Sequence, residues 1–386
     1  MDLNDYFNPV SLEAPDDRYL SEEALFCRNI AIHTPSIPVK DVKGYRVALI
    51  GVPEDRGTAE DGSANATDQV RNKLYQLYRI SRGLKIIDLG NLKQGETLND
   101  TYYGLRDVLY YLHGEGIISI IMGGSQDITY GAYLALEKLN YEVSMTTIDS
   151  CLDLGWRDDG SAASTYLAKI FHDHSSSLFN YANIGHQVYF VDDAVLEYLE
   201  KHNFNGIRLG EARADLRDTE PVLRDTHLLS IDMSAIRYAD APRTTHPSPN
   251  GLYGEEICQL ARYAGLSEKL SIAGIFEIIP GDSKPGITSH LAAQVIWYIL
   301  DGIASRMDEW PLQNDEEFRK YIVEVDEADQ VLVFYKSQRS GRWWMEVPSA
   351  GKKENVRIMA ASYSDYQQAC SQELPERWFR LFKLLN

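Results

Sequence analysis

Asp149, Cys151 and Asp153 stand at alternate positions in residues 143–155 (VSMTTIDSCLDLG), two carboxylates and a thiol in the pattern of a cation-binding site. The apolar, β-branched run before them (Val143, Met145, Thr146, Thr147, Ile148) reads as a buried strand. Period-2 alternation would put the three polar side chains on one face where that strand leaves the sheet. In open α/β sheets, ligands gather at such carboxyl ends. Two further stretches end in the same way. Residues 117–122 (IISIIM) run into Gly123-Gly124-Ser125-Gln126-Asp127-Ile128-Thr129, and residues 227–231 (HLLSI) run into Asp232-Met233-Ser234.

The elements that must position these clusters follow an alternating order. Strands are expected at 46–52, 84–89, 117–122, 143–148, 187–191, 206–209, 227–232 and 271–279. Helices are expected from 70 to 78, up to Leu112 with Asn99 as its cap, and over 129–139, 164–171, 254–264 and 288–304. Strands alternating with helices imply a mostly parallel sheet covered on both faces, a three-layer α/β/α domain. Residues 1–45 carry Pro9, Pro15, Pro35 and Pro38 and read as an extended arm with one short helix near 21–27. Beyond residue 305 the character changes. Residues 330–335 (QVLVFY) and 342–347 (RWWMEV) read as a β-hairpin, Ser362 as the cap of a helix through Ala369, and Pro375 as the first turn of another. The expected domains are thus an arm (1–45), an α/β core (46–305) and a C-terminal extension (306–386) that packs on the core or on a neighbouring subunit.

Composition bounds the function. A formal charge of −19 argues against nucleic acid or an anionic membrane surface as partner, since either needs a basic face. Cys27, Cys151, Cys258 and Cys370 lie far apart with no CxxC pair, which favours reduced thiols in a cytoplasm. The opening MDLNDYFNPV is acidic and unlike a signal peptide, and no apolar run approaches the ~20 residues that span a bilayer.

With the three strand ends in view, the chain resembles the ureohydrolase family of arginase, agmatinase and formimidoylglutamase over roughly residues 46–304. That family holds two manganese ions between strands ending in GGxHxxT, DxHxD and DxD. Asn183-Ile184-Gly185-His186, Pro249-Asn250-Gly251-Leu252 and Glu277-Ile278-Ile279-Pro280 match further family segments. The resemblance implies an arginase-like fold and assigns Gln126, Asp149, Asp153 and Asp232 to the first ion. It assigns Cys151 and Ser234 to the positions private to the second, and Glu277 to a contact with the substrate guanidinium or amidine. Histidine is replaced at Gln126 and Cys151, and aspartate at Ser234.

Those replacements divide the two sites. Three carboxylates and an amide oxygen are a hard oxygen set, suited to Mn²⁺, Mg²⁺ or Ca²⁺, whereas a thiol with a hydroxyl is poor for manganese. The family's nucleophile is a hydroxide bridging two ions, and losing one cation removes much of the acidification of its water. No histidine lies between Asp153 and Phe171, where the family's substrate loop falls. The expectation is a degraded dimanganese site, with no ion or one divalent cation per chain, in a binding or assembly module. The alternative is a hydrolase of linear amidine or guanidine C–N bonds using a single or unusual ion. Expected partners are a small amidine- or guanidine-like ligand and further copies of the chain, in the cytoplasm.

Other residues carry two readings each. His172-Asp173-His174 could bind a metal, though a solvated loop suits HDHSSS better. Cys151 could attack an amidine carbon, but neighbouring carboxylates would keep it a thiol. Glu277 could hold a cation or bond backbone amides. Arg56 could bind a carboxylate or form a surface ion pair. Trp343 and Trp344 alternate on a strand, one inward and one towards a partner surface.

Overall fold

The computed structural model describes residues 1–11, 20–58, 62–80, 83–155, 160–281, 286–311, 315–326, 330–349 and 356–386. The central sheet is built from β1 (Phe7–Asn8), β2 (Ala31–Ile32), β3 (Val47–Gly51), β4 (Ile86–Leu92), β5 (Ile118–Met122), β6 (Val143–Ile148), β7 (Leu178–His186), β8 (Asn205–Arg208), β9 (Leu228–Asp232) and β10 (Ile272–Phe276). Their order is β1-β4-β3-β5-β10-β9-β6-β7-β8, with β2 also on β4. Every pairing is parallel except β1 with β4.

Strands β5, β10, β9 and β6 are consecutive neighbours and buried at every residue, because helices cover both faces. Alternate residues feed two cores. Ile118, Ile120 and Met122 join the helices Ala66–Tyr75, Gly254–Gly265 and Ile287–Ala304. Ile121 joins the helices Leu98–Gly114, Ile128–Lys138 and Tyr166–Asp173 on the other side. This is the three-layer arginase-like arrangement with a mostly parallel sheet.

The C-terminal extension is larger than a hairpin. Four antiparallel strands, β11 (Phe318–Val325), β12 (Gln330–Ser337), β13 (Trp343–Pro348) and β14 (Val356–Ala361), form a second sheet in that order. The outer two went unpredicted because Arg319, Lys320, Glu324 and Arg357 interrupt their apolar pattern. Ser362 does cap a helix, Tyr363–Cys370, and Pro375 stands before Glu376–Leu385. Trp343 and Trp344 are 6% and 3% exposed. Trp343 joins Leu332, Phe334 and Met345 in one cluster, while Trp344 joins Phe318, Tyr335 and Ile358 in another, so neither presents a free aromatic surface.

Other expectations need correction. Residues 188–190 form a 3-10 turn, the strand being Leu178–His186, since Asp192 caps the next helix and ends the extended run. Thr97, not Asn99, caps Leu98–Gly114 through a capping box with Asp100. Near 21–28, where one short helix was expected, the arm holds the 3-10 turns Glu22–Ala24 and Phe26–Arg28 instead of an α-helix. No helix among the described residues is long and apolar enough to cross a membrane.

Candidate metal centre

Four neighbouring strands bring the predicted residues together. Gln126 follows β5, Glu277 follows β10, Asp232 ends β9 and Asp149 follows β6. All are buried, Gln126 at 2%, Asp149 at 2%, Asp232 at 6% and Glu277 at 4% exposure. Strand β6 stops at Ile148, so Asp149, Cys151 and Asp153 are not alternate residues of a strand. Asp149 Oδ1 accepts from Cys151 N at 2.8 Å, an Asx turn that bends the chain and leaves Cys151 and Asp153 half-buried. Asp232 does the same, with Oδ1 accepting from Ser234 N at 2.6 Å.

The approach to Gln126 depends on Gly124, whose φ is +83° and whose added Cβ would fall 2.7 Å from the carbonyl oxygens of Val52 and Glu54. Beyond that turn, Glu277 Oε1 accepts from Gln126 N at 2.6 Å. The backbone-binding role is therefore the one Glu277 shows, from a left-handed conformation at φ +62°. Gln126 Nε2 donates to Ser230 Oγ at 3.3 Å, and Ser230 Oγ meets Thr129 Oγ1 at 2.8 Å. Asn183, in the matched segment, donates to the carbonyls of Asp149 and Cys151 at 3.3 Å each and fixes the loop from behind.

Burial dominates the electrostatics. It pushes Asp149 up to about 6 and Glu277 up to about 7. Asp153 and Asp232 stand well above the usual carboxylate range, by burial first and by the repulsion of Asp149 next. The Cys151 thiol is raised by burial and then by Asp149 and Asp153, so it remains a thiol. Buried Tyr166 lies near Asp153, and its hydroxyl has no hydrogen-bond partner among the described residues.

A cavity of about 790 Å³ opens over Cys151, Asp153, Asp232 and Ser234, with Tyr189 and Phe190 also in its wall. Sequence reasoning missed His246, which lines the same cavity. It lies in a Thr-Thr-His-Pro loop with no periodicity to betray it. His246 N donates to Ser234 Oγ at 3.3 Å, and that hydroxyl also meets Thr245 Oγ1 at 3.3 Å.

The donors do not fit two manganese ions. At the second ion's private positions stand a thiol and a hydroxyl, both poor manganese donors, the hydroxyl already hydrogen-bonded. At the first, Gln126 turns its amide hydrogens to Ser230 and to Asp149, where a ligand would present its oxygen. Among the described residues no group of three or more His, Cys, Asp or Glu side chains is drawn together closely enough to hold an ion.

Two other candidates lie elsewhere. His174 Nδ1 meets Glu137 at 2.9 Å and Nε2 meets Tyr130 Oη at 3.0 Å, so this half-buried ring fixes helix packing instead of lying in a solvated loop. Arg56 pairs with buried Glu54 at 2.5 Å.

Residues 45–301 match the arginase family. Formimidoylglutamase of Staphylococcus haemolyticus is 24% identical over 269 residues, covering 66% of this chain and 85% of that protein. Formimidoylglutamase of Bacillus subtilis is 23% identical over 286 residues, covering 68% and 88%. Among solved structures, Trypanosoma cruzi formiminoglutamase with Mn²⁺ superposes with a TM-score of 0.63 at 19% identity, over 68% of this chain and 95% of that one. The Bacillus subtilis formimidoylglutamase structure gives 0.67 at 18%, over 76% and 97%. At these identities the structural likeness speaks for the fold.

Proposed function

The chain belongs to the arginase family, and from that premise we propose that it has given up two-metal hydrolysis and uses the inherited cleft as a binding site. The observation that carries this reading is the state of Cys151 and Ser234. A thiol and a hydroxyl shared with Thr245 and the His246 amide replace the two ligands that belonged to the second ion alone. Without that ion there is no bridging water to acidify, and the nucleophile of the family's chemistry is missing.

What the cleft keeps is a pair of carboxyls that a bound cation would draw back into the ionised form. Asp153 and Asp232 border the cavity, and none of its described lining residues is Lys or Arg. A small amidine or guanidine, with several N–H donors and one positive charge, suits such a wall. Tyr189 and Phe190 add flat apolar surface for a chain or a planar group. The test is calorimetric titration with agmatine, arginine and formimidoylglutamate, in chelated buffer and again with manganese. Saturable binding of one of them without metal and without product supports the reading. Metal-dependent release of formamide, urea or ammonia would replace it.

A second reading, hydrolysis with a single ion, draws on Asp149, Asp153 and Asp232, the three carboxylates left at the first site. It requires Gln126 to turn its amide oxygen inward and the carboxyls to lose their protons to the ion. Turnover proportional to one bound ion per chain would favour it.

A further inference from the structure

Strand β11 of the C-terminal sheet pairs with β12 on one side, and no described strand lies on the other. The direction of its backbone groups follows from the register. Ser337 N bonds Arg342 O towards β13, so odd-numbered residues of β12 point to β13 and even-numbered ones to β11. Through the pairs Tyr321↔Phe334 and Val323↔Leu332, odd residues of β11 then bond to β12, and Lys320, Ile322 and Glu324 point outward. Gln372 agrees with this assignment. Its side-chain amide donates to Glu324 O at 3.0 Å and accepts from Asp326 N at 2.9 Å, closing the edge beyond that point. Among the described residues the N–H and C=O groups of Lys320 and Ile322 and the N–H of Glu324 are left as a short open ladder.

The side chains above that ladder are unusual for a protected edge. Ile322 is 63% exposed, and on the same face Val331 is 60% and Val356 is 40% exposed. Lys320 is only loosely engaged, 3.8 Å from Glu346.

We propose that β11 is an interface between two copies of this chain, paired antiparallel about a two-fold axis through Ile322. An axis perpendicular to the sheet keeps each residue on its own face, so only positions of like parity can stand opposite. Centred on Ile322, the pairing sets Lys320 against Glu324 of the partner subunit and Glu324 against Lys320 of the partner subunit. Tyr321 faces Val323 of the partner subunit, and the two exposed isoleucines meet. Centred on Tyr321 instead, Lys320 would face an isoleucine and Phe318 a glutamate. Charge complementarity thus selects both the occupant and the register. The two C-terminal sheets then join through the N–H and C=O of Ile322 with those of Ile322 of the partner subunit, and through Glu324 N–H with the C=O of Lys320 of the partner subunit, while Glu324 O stays with Gln372. This inference is independent of what the acidic cleft binds.

The contact is one strand edge with its flanking apolar rows, smaller than the roughly 800 Å² per partner of a standard interface, so a dimer with a dissociation constant on the order of micromolar is expected. Sedimentation velocity on the full chain across the micromolar range should show a concentration-dependent dimer. Lys320→Glu and Glu324→Lys should each weaken it by about tenfold or more, because symmetry repeats the like-charge pair. The double reversal should return it to near the unmodified affinity. Both side chains are exposed, and circular dichroism checks that every variant stays folded. A monomer at all concentrations, a dimer indifferent to either single reversal, or a double variant no better than the singles would overturn the proposal.

Discussion

Arg224 should be the strongest single attachment between the extension and the core. It is 6% exposed, in the helix Glu220–Arg224, and its Nη2 donates to Trp343 O at 2.9 Å and to Ala361 O at 3.0 Å. The guanidinium lies 4.4 Å from the Trp344 ring centroid and 3.1 Å from Glu220. Arg224→Met keeps the stem but strands two buried carbonyls and a half-buried carboxylate. Each charge-assisted bond is worth about 1.5–3 kcal/mol. Among the described residues Arg224 Nε and Nη1 have no hydrogen-bond partner, and burial holds its pKa below the ordinary value, so part of that gain is already lost to desolvation. A net cost of about 3 kcal/mol is expected. At about 2.1 cal/mol/K per residue, a cooperative melt of the whole chain would drop by roughly 4 °C. If the extension undocks alone, a glutamate-specific protease should instead cut between the core and β11, at Glu316 or Glu317, before the core melts. Arg224→Lys, a point charge without the fork, should recover only part of the loss. An Arg224→Met protein with unchanged melting and an unchanged digestion pattern would refute this reasoning.

His227 should set part of the acid limit of stability. Burial lowers its pKa from 6.5 to about 4, and its unprotonated Nδ1 accepts from Ser144 N at 3.0 Å. Because the folded value is the lower one, this stability is complete above pH 6.5 and is lost as pH falls through 4. It amounts to at most about 3 kcal/mol. Urea midpoints at pH 7.5 and 4.5 should converge in a His227→Asn variant, and an unchanged pH slope would count against the assignment. Restoring family ligands with Gln126→His, Cys151→His and Ser234→Asp should raise manganese affinity by tenfold or more, about 1.4 kcal/mol, read by calorimetry. No gain would mean that the backbone has left the family geometry.

The strand ends were legible because parallel strands buried on both faces read as unbroken apolar runs, and polar clusters mark where each leaves the sheet. Their adjacency as β5, β10, β9 and β6 came only with the fold, since the order in the sheet is not the order in the chain. The resemblance carried Gln126, Asp149, Asp153 and Asp232 to one place but could not show which face of the Gln126 amide turns inward. His246 was invisible because a loop residue has no periodicity to place it. Glu277 adopts φ +62°, a conformation that sequence assigns to Gly or Asn. Strand β11 was hidden by the charges of its solvent-facing positions, where alternation replaces the apolar run, and β14 by its short apolar stretch after Arg357.

The most direct test of the account is the manganese content of the chain purified without chelators and dialysed against micromolar manganese, assayed in parallel on formimidoylglutamate, agmatine and arginine. At most one weakly held ion per chain, removed by a later metal-free dialysis, and no product above the uncatalysed rate are expected. Two tightly held manganese ions with turnover that chelation abolishes would contradict it.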